Sequence, residues 1–204
     1  MLKRVVDIVL GLVGLVCLSP ILLVAAIAVV VESGFPVLFL QRRVGRGCQP
    51  FTILKFRSMR PNPSAKDVVA AGEQLSREAL AERRKAFQTT SAGDSRLTRV
   101  GRFLRRCYID ELPQLVNVIK GDMSLVGPRP DTPVQEVDYP PALWRARHTV
   151  RPGITGLAQV CGGKNNTYRR RIMLDIIYAR RPTICRDLWI MWRTVTHAVF
   201  QGSY

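Results

Sequence analysis

The sequence predicts a mainly α chain with a small β-hairpin element, an α+β fold led by a membrane-inserted N-terminal helix. Three observations predict it. Residues 5–31, VVDIVLGLVGLVCLSPILLVAAIAVVV, form an apolar run with Asp7 as its only charge, longer than the roughly 20 residues that span a bilayer. Several later segments repeat apolar residues at three-four helical spacing, interleaved with arginines. Between them, SGFPVLFLQRRVGRGCQPFTILKFRSM (33–59) mixes short apolar runs with Gly and Pro, the pattern of strand pieces.

The first run carries Ser19-Pro20 at its centre. A proline inside a helix has no amide to give the carbonyl four residues back, here Val16, and its ring clashes with it. In hydrocarbon no water can make good that loss, and the Ser19 hydroxyl is well placed to do part of it. A cleaved signal peptide fits poorly, because the run exceeds the usual 7–15 apolar residues and no A-x-A-like site follows. Lys3 and Arg4 flank one end, and Arg42, Arg43 and Arg46 the other, so the positive-inside rule draws both ends to the cytoplasm. A helix that turns back at Ser19-Pro20 and leaves by the leaflet it entered satisfies both pulls; a kinked but ordinary span is the alternative. The expected division is a re-entrant helix over 1–36 and a cytoplasmic-face domain over 37–204.

The remaining elements follow in order. A hairpin is expected around Gly45-Arg46-Gly47. Residues 61–96 are polar, Ala-rich and charged, with an exposed helix over about 73–87 and loops on either side. In LTRVGRFLRRCYI, Leu97, Val100, Phe103, Leu104, Cys107 and Tyr108 share one helical face while Arg99, Arg102, Arg105 and Arg106 fill the rest. Such a basic amphipathic helix suits a headgroup layer; a surface helix packed on a core fits it equally. In DELPQLVNVIKGD, Leu112, Leu115, Val116 and Ile119 form a further stripe stopped by Gly121, and Pro113 places Asp110 and Glu111 at the helix start. Residues 183–200 put Ile184, Leu188, Trp192, Val195 and Val199 on one face with Trp189 beside it, an interfacial composition.

Lys and Arg number 31 against 15 Asp and Glu, a formal charge of +16. That balance implies anionic partners: lipid headgroups, phosphorylated substrates or nucleic acid. Five scattered cysteines without a Cys-x-x-Cys pair signal neither a zinc site nor a disulfide framework, and two histidines argue against histidine-based metal or triad chemistry.

The most informative stretch is LRRCYIDELPQLVNVIKGDMSLVGPRP (104–130). Acids at a helix start cap free amides and complement the dipole, which is the structural reading of Asp110-Glu111. A chemical reading stands beside it. Adjacent helical residues point about 100° apart, so one carboxylate can attack while the other holds a cation. A helix start also keeps a carboxylate ionised and attracts phosphate. Arg105 precedes the pair and Arg129 follows in a stiff Gly127-Pro128-Arg129-Pro130 turn, and arginine forks match phosphate oxygens. An acid pair, arginines and a membrane anchor point to phosphoryl transfer at a bilayer surface.

These residues resemble the bacterial sugar transferases, the monotopic phosphoglycosyl transferases that begin surface-glycan assembly. The resemblance rests on KRVVDIVLGLVGLVCLSPILL, LKFRSM (54–59), LTRVGRFLRR, IDELPQLVNVIKGDMSLVGPRP and RPGITGLAQV (151–160), most of the chain except 61–94. It implies a re-entrant helix broken at Ser19-Pro20, a catalytic dyad at Asp110 and Glu111, and substrate contacts at Lys55, Arg57, Arg105, Gly127, Pro128 and Arg129. The implied reaction moves a sugar-1-phosphate from a UDP-sugar to a polyprenyl phosphate and releases UMP. By the same resemblance Asp110 attacks phosphorus to give an acyl-phosphate intermediate, and Glu111 holds Mg²⁺. The implied setting is the cytoplasmic face of the bacterial inner membrane, among anionic lipids and downstream glycosyltransferases. Cys107-Tyr108 stands where the family usually has small polar residues, and VCGGKNN replaces the more usual Asn-Gly-Arg stretch.

Two rivals are weaker. AQVCGGKN (158–165) imitates a P-loop, but Asn165 stands where Mg²⁺ needs Ser or Thr. A basic membrane-tethered adaptor or nucleic-acid binder fits the charge, yet aromatics are only 7% and no aromatic-plus-basic pattern emerges, so no nucleic-acid partner is expected.

Overall fold

The computed structural model describes residues 2–60, 76–87, 94–162 and 167–200. It is mostly helical with a small antiparallel sheet, as the sequence pattern predicts. Helices α1 (Leu2–Cys17) and α2 (Ser19–Ser33) meet at Leu18 with a bend of 61°. Ser19 Oγ donates to the Val16 carbonyl at 2.7 Å, the group that Pro20 leaves without its amide. Among the described residues no single helix is long and apolar enough to cross a membrane.

Both ends of this bent pair are clamped to the rest of the chain. Arg4 donates to the carbonyls of Val118 (2.5 Å) and Ile119 (2.8 Å), capping the end of α5 (Gln114–Lys120) with the positive charge a helix C-terminus favours. Asp7 is 4% exposed and accepts from the Ser124 hydroxyl (2.9 Å) and the Leu125 amide (3.1 Å) of β3 (Ser124–Val126). Lys3 pairs with Asp187 at 2.5 Å. At the far end, Glu32 accepts from the amides of Arg99 and Val100, both at 2.7 Å. It thereby caps α4 (Arg99–Arg106) together with Thr98. The flanking cations Lys3 and Arg4 are thus committed to internal partners rather than free to meet headgroups.

The predicted hairpin is present. Strand β1 (Leu38–Val44) pairs antiparallel with β2 (Pro50–Phe56), Leu38 opposite Phe56 and Val44 opposite Pro50. The turn between them places Gly47 at φ +67°, a conformation glycine adopts without strain. A second pairing was not legible: β3 lies parallel to β4 (Gly153–Thr155), with Ser124 opposite Gly153 and Val126 opposite Thr155. Three-residue strands are too short for an alternation signal. The contact is tight enough that a Cβ on Gly127 would sit 2.3 Å from the Arg151 carbonyl oxygen.

Helices surround these strands. The core is a set of abutting clusters: Ile53, Val118 and Met123 under the hairpin; Val126, Val160, Tyr178 and Ile190; and Val44, Tyr139, Trp144, Ile172 and Ile176. Full burial of each such side chain is worth roughly 1.5–3 kcal/mol. They come from both hairpin strands, β3 and α5, from α6 (Pro141–Arg147), α7 (Leu157–Gly162), α8 (Tyr168–Arg180) and α9 (Ile184–Phe200), and, for Met123 and Tyr139, from the connections between elements. Helix α3 (Arg77–Ala86) realises the part of the predicted 73–87 helix that is described, and it is not free-standing: Leu80 packs on Val134 and Arg84 pairs with Asp138 at 2.8 Å. The P-loop-like residues 163–165 lie outside the described residues.

Of two predicted apolar faces, that of α9 points largely outward and that of α4 is split between core and surface. On α9 the buried positions are Asp187 and Ile190, while Leu188, Trp189, Trp192 and Val195 are exposed. On α4 Gly101 and Leu104 face the core, whereas Phe103 is 60% exposed.

Candidate active site

The acid pair does not begin α5 itself. Asp110 and Glu111 lie in a short 3-10 turn, Ile109–Glu111, and α5 starts after Pro113. Pro113 has no N–H to continue an α pattern, so the chain advances by i→i−3 bonds: Leu112 to Ile109 (3.2 Å), Leu115 to Leu112 (3.0 Å) and Val116 to Pro113 (3.1 Å). Tyr108 turns the chain from α4 into this segment at φ +58°, ψ +15°, a left-handed conformation that costs an L-residue roughly 1–2 kcal/mol.

Three elements converge on the pair. Lys55 from β2 and Arg129 from the turn after β3 both contact the same oxygen, Glu111 Oε1, at 2.6 and 2.8 Å. Arg105 from α4 donates through Nε to the Ser58 hydroxyl at 2.9 Å, and its charge reaches Asp110. Asn117, buried in α5, fixes the register: its amide donates to the Thr52 carbonyl (2.7 Å) and its oxygen accepts from the Leu54 amide (3.0 Å). This pins the acid-bearing segment to β2 one residue before Lys55.

The two carboxylates are shifted in opposite directions. Burial acts to raise Glu111, but the charges and hydrogen bonds of Arg129 and Lys55 outweigh it and hold the group at about 2. Asp110 is 7% exposed, and its carboxylate makes no hydrogen bond or ion pair among the described residues. Burial, then the neighbouring Glu111 charge, push it above the ordinary aspartate range; Lys55, Arg105 and Arg129 pull it back only in part. The expectation that a helix start keeps a carboxylate ionised describes Glu111; at Asp110 desolvation is the largest influence. A largely buried carboxylate without fixed donors is less well stabilised than one in bulk water and correspondingly reactive.

Behind the Arg129 turn lies a buried ionic cluster. Arg147, 1% exposed, contacts Asp131, bonds Asp175 at 2.9 Å through Nε, and donates to the Arg129 carbonyl at 2.7 Å. Removing one member of such a cluster leaves an uncompensated charge and costs about 3–5 kcal/mol. The cluster stiffens the backbone from which Arg129 projects.

Of the residues predicted for the site, Asp110, Glu111, Lys55, Arg105 and Arg129 come together. Arg57 does not join them. It is buried, its guanidinium taken up by the carbonyls of Ser33, Gly34 and Phe35 at the exit of α2. Gly127 and Pro128 are buried backbone contacts of the β3–β4 pair: the Gly127 amide bonds the Thr155 carbonyl and the Pro128 carbonyl accepts from Gly153, each at 2.9 Å. They shape the turn. Asn117, Asp131, Arg147 and Asp175 escaped the sequence reading, although a polar residue inside an apolar stripe, as Asn117 is, signals a buried hydrogen-bonding role.

No group of three or more His, Cys, Asp or Glu side chains able to hold a metal converges among the described residues. Both ion pairs of Glu111 use the same oxygen, Oε1.

The family model for bacterial sugar transferases matches residues 1–201. The chain is 44% identical over 200 residues to a UDP-glucose:undecaprenyl-phosphate glucose-1-phosphate transferase of Caulobacter vibrioides, covering 95% of this chain and 68% of that protein. It is 39% identical to a UDP-N-acetylgalactosamine-undecaprenyl-phosphate N-acetylgalactosaminephosphotransferase of Aeromonas hydrophila, covering 95% of this chain but only 43% of the relative. With the exopolysaccharide production protein PSS of Rhizobium leguminosarum bv. phaseoli it shares 36% identity over 99% of this chain and 97% of the relative. The chain belongs to the bacterial sugar transferase family.

Proposed function

We propose that this protein transfers a sugar-1-phosphate from a UDP-sugar to a polyprenyl phosphate, undecaprenyl phosphate in the names of its relatives, and releases UMP. The observation that carries the reading is the split acid pair: Asp110 buried without donors beside a Glu111 held ionised by Lys55 and Arg129. In the first step an Asp110 carboxylate oxygen attacks the sugar-bearing phosphorus, and the bond from that phosphorus to the UMP oxygen breaks. A phosphate oxygen of the lipid then attacks the same phosphorus and displaces Asp110, giving the polyprenyl-diphosphate-linked sugar. Both displacements build negative charge where Arg129, Lys55 and Arg105 converge, and fixed cations stabilise such charge without reorganising.

Mg²⁺ fits this donor set, because that ion commonly takes one or two carboxylates and completes its shell with substrate phosphates and water. Glu111 would hold it, and the ion would neutralise diphosphate charge.

The reading places the protein on the cytoplasmic face of the bacterial inner membrane, with α1–α2 entering and leaving one leaflet. Two features support this. Leu12, Val13, Val16, Ile21, Leu23, Val24, Ile27 and Val31 are exposed around the bend, a patch suited to lipid. Both ends of the pair are tied to one folded unit, by Arg4 and Asp7 at the start and by Glu32 and Arg57 at the exit. A crossing needs its ends on opposite sides. Cysteines introduced at Leu2 and Gln49 in a cysteine-free background should both resist periplasmic labelling, and periplasmic labelling of either would refute the re-entrant path. Replacing Ser19 and Pro20 by alanine restores a continuous helix pattern and should shift the segment toward a full span.

A basic adaptor accounts for the charge but gives the acid pair no task, and several of the cations are internal: Arg4, Arg57 and Arg147 cap or pair within the fold. UMP release from a panel of UDP-sugars with undecaprenyl phosphate tests the reading directly. One sugar should support release that depends on the lipid. No release with any sugar would sink the assignment.

A further inference from the structure

We infer that Arg43 is a further anion-contacting residue of the acid-pair site, holding a phosphate oxygen of the bound substrate alongside Arg129. The inference rests on the phosphoryl-transfer reading above. In the β1–β2 register Phe39 lies opposite Lys55, Gln41 opposite Ile53 and Arg43 opposite Phe51. Directly opposed residues, and residues two apart on one strand, share a face of an antiparallel pair. Phe39, Gln41 and Arg43 therefore form a row on the face from which Lys55 reaches Glu111.

The hydrogen bonds bring the guanidinium toward Arg129. Arg43 Nη1 donates to the carbonyl of Pro130, the residue after Arg129, at 3.1 Å, and Nη2 donates to Gln41 Oε1 at 2.6 Å. Nε is buried with no partner. Each terminal nitrogen keeps a second N–H beyond the bond described, since a guanidinium carries five donors.

Among the cations that surround the acid pair, Arg43 differs from Lys55 and Arg129 in its direct contacts. Arg147 has Asp131 and Asp175, and Glu111 is shared by Lys55 and Arg129. Arg43 has no carboxylate in an ion pair among the described residues. Burial first, then the Arg129 charge, lower its pKa to about 10, with Arg171 adding to the repulsion and the more distant charges of Asp131 and Glu111 offsetting it only in part; the group is still protonated at neutral pH. A partly buried cation beside a like charge, oriented by two neutral acceptors and in direct contact with no acid, is stabilised when an anion with several acceptor oxygens arrives. A phosphate or diphosphate has that chemistry. The phosphate could be the nucleotide's or the lipid's, and both are anions the proposed reaction must hold.

The test uses the full chain in nanodiscs, with Arg43→Gln and Arg43→Lys. Pyrophosphate and UDP are titrated by thermal shift and calorimetry, and the KM for undecaprenyl phosphate is measured at saturating UDP-sugar. Arg43→Gln should keep its unliganded melting temperature and bind the decisive anion at least about tenfold more weakly. Weakened UDP and pyrophosphate binding assigns the contact to the nucleotide. Unchanged UDP affinity with a raised KM for the lipid assigns it to the lipid phosphate. If all three constants match wild type, the inference is wrong. Should the glutamine variant fail to fold, Arg43→Lys decides the matter. It keeps a cation but not the fork, so about threefold or more weakening is expected and wild-type constants overturn the inference. Wild-type pyrophosphate binding lost in these variants, with no turnover of any UDP-sugar, would retain the anion contact and reject the proposed reaction. Normal turnover with unaltered variants would do the reverse.

Discussion

Asp110→Asn is expected to abolish turnover, by roughly 10⁴-fold or more, and with it the labelled phosphosugar adduct formed from radiolabelled UDP-sugar without lipid acceptor. An amide is too weak a nucleophile to displace UMP. The structure adds a second, opposite expectation for stability. The folded pKa of Asp110 is raised by burial and by Glu111. At neutral pH its charge is therefore less well accommodated folded than unfolded, and it subtracts from stability. Asparagine removes that penalty, so the variant should melt at the wild-type temperature or above it. A capping residue would behave differently, keeping its chemistry with asparagine in place. The position before this turn belongs to Tyr108, which makes no side-chain cap bond. The same shift fixes the sign of the pH profile. The attacking form is the carboxylate, so kcat/KM of the free enzyme should fall as pH drops through a pKa above the roughly 4 of an ordinary aspartate. An Asp110→Asn protein that still carries the label rules out the covalent assignment.

Arg129→Ala is expected to lower kcat/KM by about 10²–10³-fold, and Arg129→Lys should recover little of it. Arg129 does two things from one rigid turn. It shares Glu111 Oε1 with Lys55, and its side chain remains 42% exposed. Alanine removes a counter-charge that helps hold Glu111 at about 2, so the Glu111 pKa should rise as well. The Lys55 contact remains and keeps the change partial. Lysine restores charge but not the fork that can hold a carboxylate and a phosphate at once. Kinetics for the three forms, with carboxylate titration followed by difference infrared spectroscopy, check both expectations. A lysine variant with wild-type kcat/KM would count against the phosphate contact.

Much of this chain was legible because the rules that shape it are local. Pro20 must orphan the Val16 carbonyl, and Ser19 is the hydroxyl within reach; both follow from backbone connectivity, and the bond is present at 2.7 Å. The hairpin was readable from glycines flanking short apolar runs, and the exposed stripe of α9 from its three-four spacing. Asp110-Glu111 stood out as adjacent acids between arginines. Local rules also misled. Lys55 and Arg57 look equivalent in LKFRSM, yet one faces Glu111 and the other the exit of α2. Lys3 and Arg4, read as flanks of the apolar run, also clamp it to α9 and α5, which no local pattern shows.

By itself, then, the sequence determined the broken apolar helix, the hairpin, the acid pair and the family. Each rests on covalent geometry, on periodicity, or on residue types at short spacing. Only the tertiary structure decided which cations serve the acids and which hold the fold. Lys55 and Glu111 are 56 positions apart, and Asp7 and Ser124 are 117 apart; nothing in local pattern brings such pairs together. It also decided that two neighbouring carboxylates differ, since desolvation and charge act through distances and burial that exist only once β2, α4 and the Arg129 turn have met.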